Sequence, residues 1–381
     1  MKKILIGLLI LGLIGVFGLK GYNNIVVSEN ENELYKKNAI EFIKNQEEII
    51  FQLKGSIPTS PIVYKDKYGN DRTIVFGVEK ESKIIGRIVI NYDKNNPIFL
   101  EFAETPPPHL IDVEKEVASK ISLKENQYLK NEEFIYIFPL LFFIHFDVIE
   151  EDKKVDDLYF FWNEKKIVSI NEIPEFERIG KTKVEYSEIK GYYSKVLYDV
   201  PDYSTNNTNL CNSCGPVAGA NILGYWDKHG YPKLQLDGDE STGSQLTTCL
   251  WYDMGTSCIY GTPVNNFRGG IVIHTNNCLH PPYNCCYKFT TSWQRPPSYN
   301  SLVIEINNNR PLAILFGWPG ITPPHPTYGY HWVVGIGYAY GSNPQYYTFY
   351  IRNGWGEGNV VLDYPSTEPY IHGYVKIYPG S

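Results

Sequence analysis

From Glu31 to Lys54 the apolar residues Tyr35, Ala39, Phe42, Ile43, Ile49, Ile50 and Leu53 recur at helical spacing, and Gly55 follows as a C-terminal cap. A helix is expected there. Beyond it the period drops to two: Arg72–Val78, Ile84–Tyr92 and Pro97–Phe102 alternate or are β-branched, and Asp93-Lys94-Asn95-Asn96-Pro97 carries turn chemistry. Pro106-Pro107-Pro108 interrupts the chain, after which Val113, Val117 and Ile121 mark a second helix over 112–121. Strand-like runs return at Phe134–Ile149 and Leu158–Ile170, with Asn163-Glu164-Lys165-Lys166 as a turn inside the second. A helix followed by antiparallel hairpins, as one unit or two, makes α+β the expected fold class of the first half. The mixed charge along these elements reads as a solvated face, and no residue among them has the spacing of a catalytic group.

The second half is patterned differently. Residues 211–232 read as a helix with both ends marked: Pro216 suits a first turn, Ala218, Gly219 and Ala220 permit close packing, and Gly230 with Pro232 closes it. Cys214 stands at the start of that helix, where unpaired N–H groups and roughly half a unit of positive dipole charge favour thiolate over thiol. Farther along, Tyr330–Tyr338 alternates as a strand, Gly341-Ser342-Asn343-Pro344 turns, and Gln345–Arg352 returns. Folding this hairpin about Ser342 sets Asn353 across from His331. An amide oxygen there can accept one ring N–H and leave the other nitrogen for a thiol, with Trp355 covering the bond. Cys214, His331 and Asn353 thus form a candidate nucleophile, base and orienting group.

Composition adds a compartment and a boundary. The chain has 381 residues, enough for two or three domains, and 43 % hydrophobic residues, which excludes wholesale disorder. The last 181 residues hold only 8 Lys+Arg and 10 Asp+Glu of the chain's 35 and 42, and all seven cysteines, so two differently built segments are joined. A net charge of −7 offers no footprint for nucleic acid, and no metal or organic cofactor is implied. Lys2 and Lys3 precede the apolar run Ile4–Leu19, so residues 1–24 read as a signal peptide or a membrane anchor attached through 4–19, and an extracytoplasmic location is expected. An odd cysteine count in an exported chain fits three disulfides and one free thiol. The expected division is 1–24, an α+β pro- or docking domain over 25–195, and a catalytic domain over 196–381, with a linker in Glu175–Tyr203.

The motifs Cys214-Gly215-Pro216, Gly224-Tyr225-Trp226-Asp227, Gly230-Tyr231-Pro232, His331-Trp332-Val333-Val334-Gly335 and Asn353-Gly354-Trp355-Gly356 resemble those of papain-fold cysteine peptidases, and within them the C39-like peptidases. The likeness runs from about Leu197 to Ser381. It implies a papain-like domain that hydrolyses peptide bonds through a thioester acyl-enzyme, with Cys214, His331 and Asn353 as the triad and a peptide or protein as substrate. The family commonly has a Gln about six residues before the nucleophile as an oxyanion donor; here that place is Thr208, and Asn209 or Asn207 is the expected substitute, beside the backbone N–H of Cys214.

Other readings stay open. Cys211 and Cys214 form a C-x-x-C, a redox pair or half a zinc site, although no second C-x-x-C follows. His274 and His280 flank Cys278 and read as solvated, and His325 is a second candidate base. A catalytically silent shell used as a surface binding module, or an acyl transfer to an amine with the same triad, shares these residues.

Overall fold

The computed structural model describes residues 29–175, 192–276, 286–317, 330–342 and 345–380. Segment 1–24, read as signal or anchor, and most of the expected linker lie outside the described residues. Among the described residues no helix is long and apolar enough to cross a membrane.

The first half runs α1 (Glu29–Gln46), β1 (Ile57–Pro58), β2 (Ile62–Lys65), β3 (Asp71–Lys80), β4 (Lys83–Asn91), β5 (Phe99–Ala103), α2 (Val113–Ala118), β6 (Gln127–Ile137), β7 (Leu141–Glu150), β8 (Lys153–Phe161) and β9 (Lys166–Val168). The second half runs β10 (Tyr192–Val196), α3 (Cys214–Lys228), α4 (Ser244–Asp253), α5 (Val264–Asn276), β11 (Thr290–Gln294), α6 (Tyr299–Asn307), β12 (Leu312–Gly317), β13 (Tyr330–Ser342), β14 (Gln345–Arg352), β15 (Val360–Asp363), α7 (Tyr364–Thr367) and β16 (Ile371–Tyr378).

Two elements end elsewhere than their sequence pattern predicts. The helix expected to reach Lys54 stops at Gln46, because the Gln46 carbonyl accepts the N–H groups of both Ile49 (3.0 Å) and Ile50 (2.7 Å) and turns the chain. Its side chain is drawn inward to take the hydroxyl of Tyr350 on β14, so a long-range bond ends the helix before its local pattern does. The apolar run 134–149 is a hairpin: Ile137 pairs with Leu141 and the chain reverses over Phe138, Pro139 and Leu140.

The strands join into one sheet in the order β11-β16-β12-β13-β14-β15-β5-β4-β3-β2-β6-β7-β8-β9, with β1 on β3 and β10 on β13. The two halves meet where β15 lies antiparallel to β5, pairing Val360 with Ala103, Val361 with Phe102 and Leu362 with Glu101. All six of these residues are fully buried. Phe102 also packs on Phe42 of α1 (5.7 Å between ring centroids), and Phe42 stacks on Phe99 at 3.9 Å, so one apolar core runs through both halves. Right-handed twist accumulates across so many strands and coils the sheet. As a result Phe161, at the end of β8 and far from β14 in strand order, reaches the ring of Trp355 edge-on at 6.0 Å.

The β5–β15 seam sets a test of whether the first half is a removable accessory. A chain begun at residue 197 would bare the backbone edge of Val360–Leu362 together with its apolar side chains, a template for intermolecular pairing. That fragment is expected to aggregate or to lack near-ultraviolet circular dichroism; a soluble monomer with native tertiary signal by size exclusion overturns the expectation.

Candidate active site

Helix α3 begins at Cys214, as its residues predict. The loop before it is tied down from several sides. Cys211 is disulfide-bonded to Cys258, the Asn212 amide donates to the carbonyls of Ser257 (3.1 Å) and Cys258 (2.7 Å), and the Trp251 indole donates to the Cys211 carbonyl (3.0 Å). With Cys211 bridged elsewhere, the C-x-x-C is neither a redox pair nor half a zinc site, and Cys214 is a free thiol. Cys286 is also disulfide-bonded, while Cys278, Cys285, His280 and His325 lie outside the described residues. Gly215 allows the helix start to close on Thr262: a Cβ there would stand 2.6 Å from the Thr262 hydroxyl.

Thr262 in turn positions the strand that follows. Its carbonyl accepts the Trp332 indole N–H at 2.9 Å, and the Trp332 ring stacks on Phe267 of α5 at 4.4 Å. The Cys214 residue is half-buried, and the main-chain N–H groups of Trp332, Gly215 and Cys214 bear on its sulfur in the sense that favours the thiolate. The thiol and the His331-Trp332 peptide are therefore neighbours.

His331, at the start of β13, is buried. Its Nε2 lies 2.8 Å from the Asn353 main-chain carbonyl. A carbonyl only accepts, so Nε2 carries the hydrogen and Nδ1 keeps a free lone pair. Trp355 stacks on the ring at 4.2 Å with the planes 6° apart.

The Asn353 side chain is used differently from the expectation. Its Nδ2 donates to Glu357 (2.7 Å) and its Oδ1 accepts the Trp355 N–H (3.0 Å), so the group facing His331 is the backbone carbonyl. The hairpin register explains this. The reversal joins Ser342 to Gln345 rather than centring on Ser342, and an irregularity between Gly335 and Gly337 takes back only one residue of that offset, leaving Val334 opposite Arg352. Carried on, that register faces His331 with Trp355, not Asn353. The register at which the strands pair and the bulge within it are tertiary outcomes that a symmetric fold-back about one residue misses.

Two further expectations are corrected. Burial, aided by the nearby negative charge of Glu164, pushes the Cys214 thiol up to about 11, although three backbone N–H groups act the other way. Desolvation thus outweighs the helix terminus. Burial also pushes His331 down to about 4. At neutral pH the pair is thiol and neutral imidazole, not thiolate and imidazolium. His274, read as solvated, is buried in α5, with Nδ1 on Asp253 (3.0 Å) and Nε2 on the Leu234 carbonyl (3.2 Å).

Asn207 and Asn209, expected at the oxyanion, are exposed. Thr208 between them is the residue tied to the helix start, its hydroxyl 3.4 Å from that of Ser213. Sequence reasoning also missed Glu357, whose only signal was an acid inside the glycine run 354–358, and Arg87 and Glu164 of the first half, which it assigned to a solvated face. Arg87 is fully buried. Among the described residues His145, Asp147 and Asp157 have the spacing to hold a metal ion, but the Lys154 ammonium already bonds both carboxylates at 2.7 Å.

No curated protein matches this chain. Residues 197–378, in the C-terminal half, match the model of the Peptidase_C39 like family.

Proposed function

We propose that this protein is an exported cysteine peptidase that uses Cys214, His331 and the Asn353 carbonyl to hydrolyse peptide bonds. The observation that carries this reading is the fixed tautomer: Nε2–H donates to Asn353, leaving Nδ1 as the acceptor for a thiol proton, while the main-chain N–H of Trp332, next to that histidine, bears electrostatically on the Cys214 sulfur. In the cycle, Cys214 passes its proton to Nδ1 as it attacks the scissile carbonyl, and the imidazolium then protonates the leaving amine. His331 next activates a water that releases the acyl group from the thioester. The Cys214 main-chain N–H is one donor to the oxyanion. An extracytoplasmic location agrees with the Cys211–Cys258 disulfide.

The first half is proposed to regulate access. The β8–β9 turn brings Glu164 close enough to raise the thiol's pKa and sets Phe161 against Trp355. Opening would require this turn to be displaced rather than the first half to be removed, since the two halves share a sheet. The neutral resting pair favours one competing reading, a silent binding shell, and thiol chemistry separates the two.

Iodoacetamide labelling followed by peptide mapping, with hydrolysis of a denatured protein substrate, tests the assignment. Labelling and hydrolysis are expected at Cys214 and should fall by about three orders of magnitude or more in Cys214→Ser (hydrolysis) and in His331→Ala (both). Hydrolysis that survives Cys214→Ser overturns it, and an inert Cys214 under every condition that opens the β8–β9 turn leaves the shell. Glu164→Gln removes a negative charge beside the sulfur, so its alkylation at pH 8 should quicken severalfold; an unchanged rate rejects the regulatory role of that turn.

The pair also shapes stability. The folded His331 pKa, about 4, lies below the ordinary 6.5, so the unfolded chain takes up the proton first on acidification. Its contribution is whole above pH 6.5 and is lost as pH falls towards 4, on the order of 3 kcal/mol. The Cys214 thiol acts in the opposite sense: its contribution is whole below pH 9 and is lost as pH rises towards 11. Urea midpoints measured from pH 4 to 10 should decline at both ends, and the acid decline should shrink in His331→Phe; an acid limb identical in that variant refutes the attribution.

A further inference from the structure

We infer that Arg87 and Glu104, two side chains of the first half, are positioning residues of the Cys214–His331 site, acting through the loop 353–359. The inference rests on the cysteine-peptidase reading for its consequence in catalysis, but its geometry stands apart from it.

Both contacts described on the His331 ring come from this loop: the Asn353 carbonyl on Nε2 and the Trp355 face. The loop lies between β14 and β15 and has no ladder of its own. Gly354, Gly356 and Gly358 all have positive φ (79°, 74° and 70°), a backbone that would take many shapes unless held. The holding comes largely from outside. Arg87 forks onto Glu357 (Nη1 to Oε1 3.2 Å, Nη2 to Oε2 2.7 Å), and the same Oε2 takes the Asn353 amide N–H at 2.7 Å. Glu104 accepts the Asn359 main-chain N–H (2.9 Å) and its side-chain N–H (3.0 Å). Asp202 accepts the Gly358 N–H at 2.9 Å. Gly358 is needed for this approach, since a Cβ there would lie 2.5 Å from the Glu104 carboxylate.

Arg87 is not free to adapt. Besides Glu357 it donates to Glu101 (Nη2 3.0 Å, Nε 3.3 Å) and to the Thr105 hydroxyl (Nη1 2.6 Å), so all five of its N–H groups have acceptors. Its guanidinium also lies 4.4 Å from the centroid of the Phe142 ring. A chain of bonds therefore runs from β4 through Glu357 and the Asn353 side chain to the carbonyl that fixes the histidine tautomer. A lysine would keep the charge and lose the fork.

The test uses the full-length chain labelled with 15N-histidine, comparing wild type with Arg87→Lys, Glu357→Gln and Glu104→Gln. Arg72→Lys, which alters the Arg72–Asp66 bond (2.8 Å) elsewhere in the first half, is the control. Wild type and control should show His331 as a single Nε2–H tautomer with a depressed pKa. The three test variants should show mixed tautomers and a pKa moved back up, and in hydrolysis assays kcat should fall roughly 10- to 100-fold with KM nearly unchanged. Glu104 is only half-buried, so Glu104→Gln decides the matter if the substitutions at the buried Arg87 and Glu357 do not fold. A His331 tautomer and pKa equal to those of the control, or a kcat loss that vanishes when the variants are assayed at a temperature restoring their stability, overturns the inference. A wild type with no thiol reactivity or hydrolysis, yet with a tautomer that responds to these variants, sinks the peptidase reading and leaves the positioning role standing.

Discussion

A guanidinium cannot lie inside a protein unless every N–H it carries finds an acceptor and its charge finds an opposite one. Arg87 meets both demands by drawing Glu101 from β5 and Glu357 from beyond β14 into one buried cluster. Tyr136 completes it by donating to Glu101 at 2.5 Å. Burial raises Glu101 above the ordinary carboxylate range, with Arg87 and Tyr136 acting the other way. Removing one member would strand the others without water, so the cluster commits both halves of the chain to one arrangement. The β5–β15 seam and the shared core follow the same line.

Burial also sets the state of the candidate nucleophile. A helix terminus supplies partial positive charge at its surface, but burial of the Cys214 thiol, with the negative charge of Glu164 acting in the same sense, makes ionisation forfeit hydration. His331, equally desolvated, resists protonation. At neutral pH neither group is charged: the imidazole takes up its proton only near pH 4 and the thiol loses its own only near pH 11.

The family match stops at residue 197, on the near side of the seam. Yet Phe161, Arg87 and Glu104, from before that point, touch the residues that surround His331 or hold the loop against it. A domain defined by similarity and a unit defined by packing have different edges here. The disulfide from Cys211 to Cys258 performs the corresponding task on the other flank, holding the loop before Cys214 to the segment that carries Thr262.

The helix starting at Cys214, the strand starting at Tyr330 and the first antiparallel hairpins were legible in the sequence, because periodicity, end signals and turn residues act over a few neighbouring positions. So was the contrast in charge between the halves. What the sequence left undetermined was decided between distant residues. A reversal that pairs Ser342 with Gln345, offset by one residue at the Gly335–Gly337 irregularity, carries a register that faces His331 with Trp355, and the hydrogen bond to the ring comes from the Asn353 carbonyl. The inward pull on Gln46 cut short its helix. Arg87, one charge among many along a solvated-looking strand, became a buried clamp because β15 came to lie on β5. Register, burial and pKa are properties of what packs against a residue, and no spacing along the chain records that.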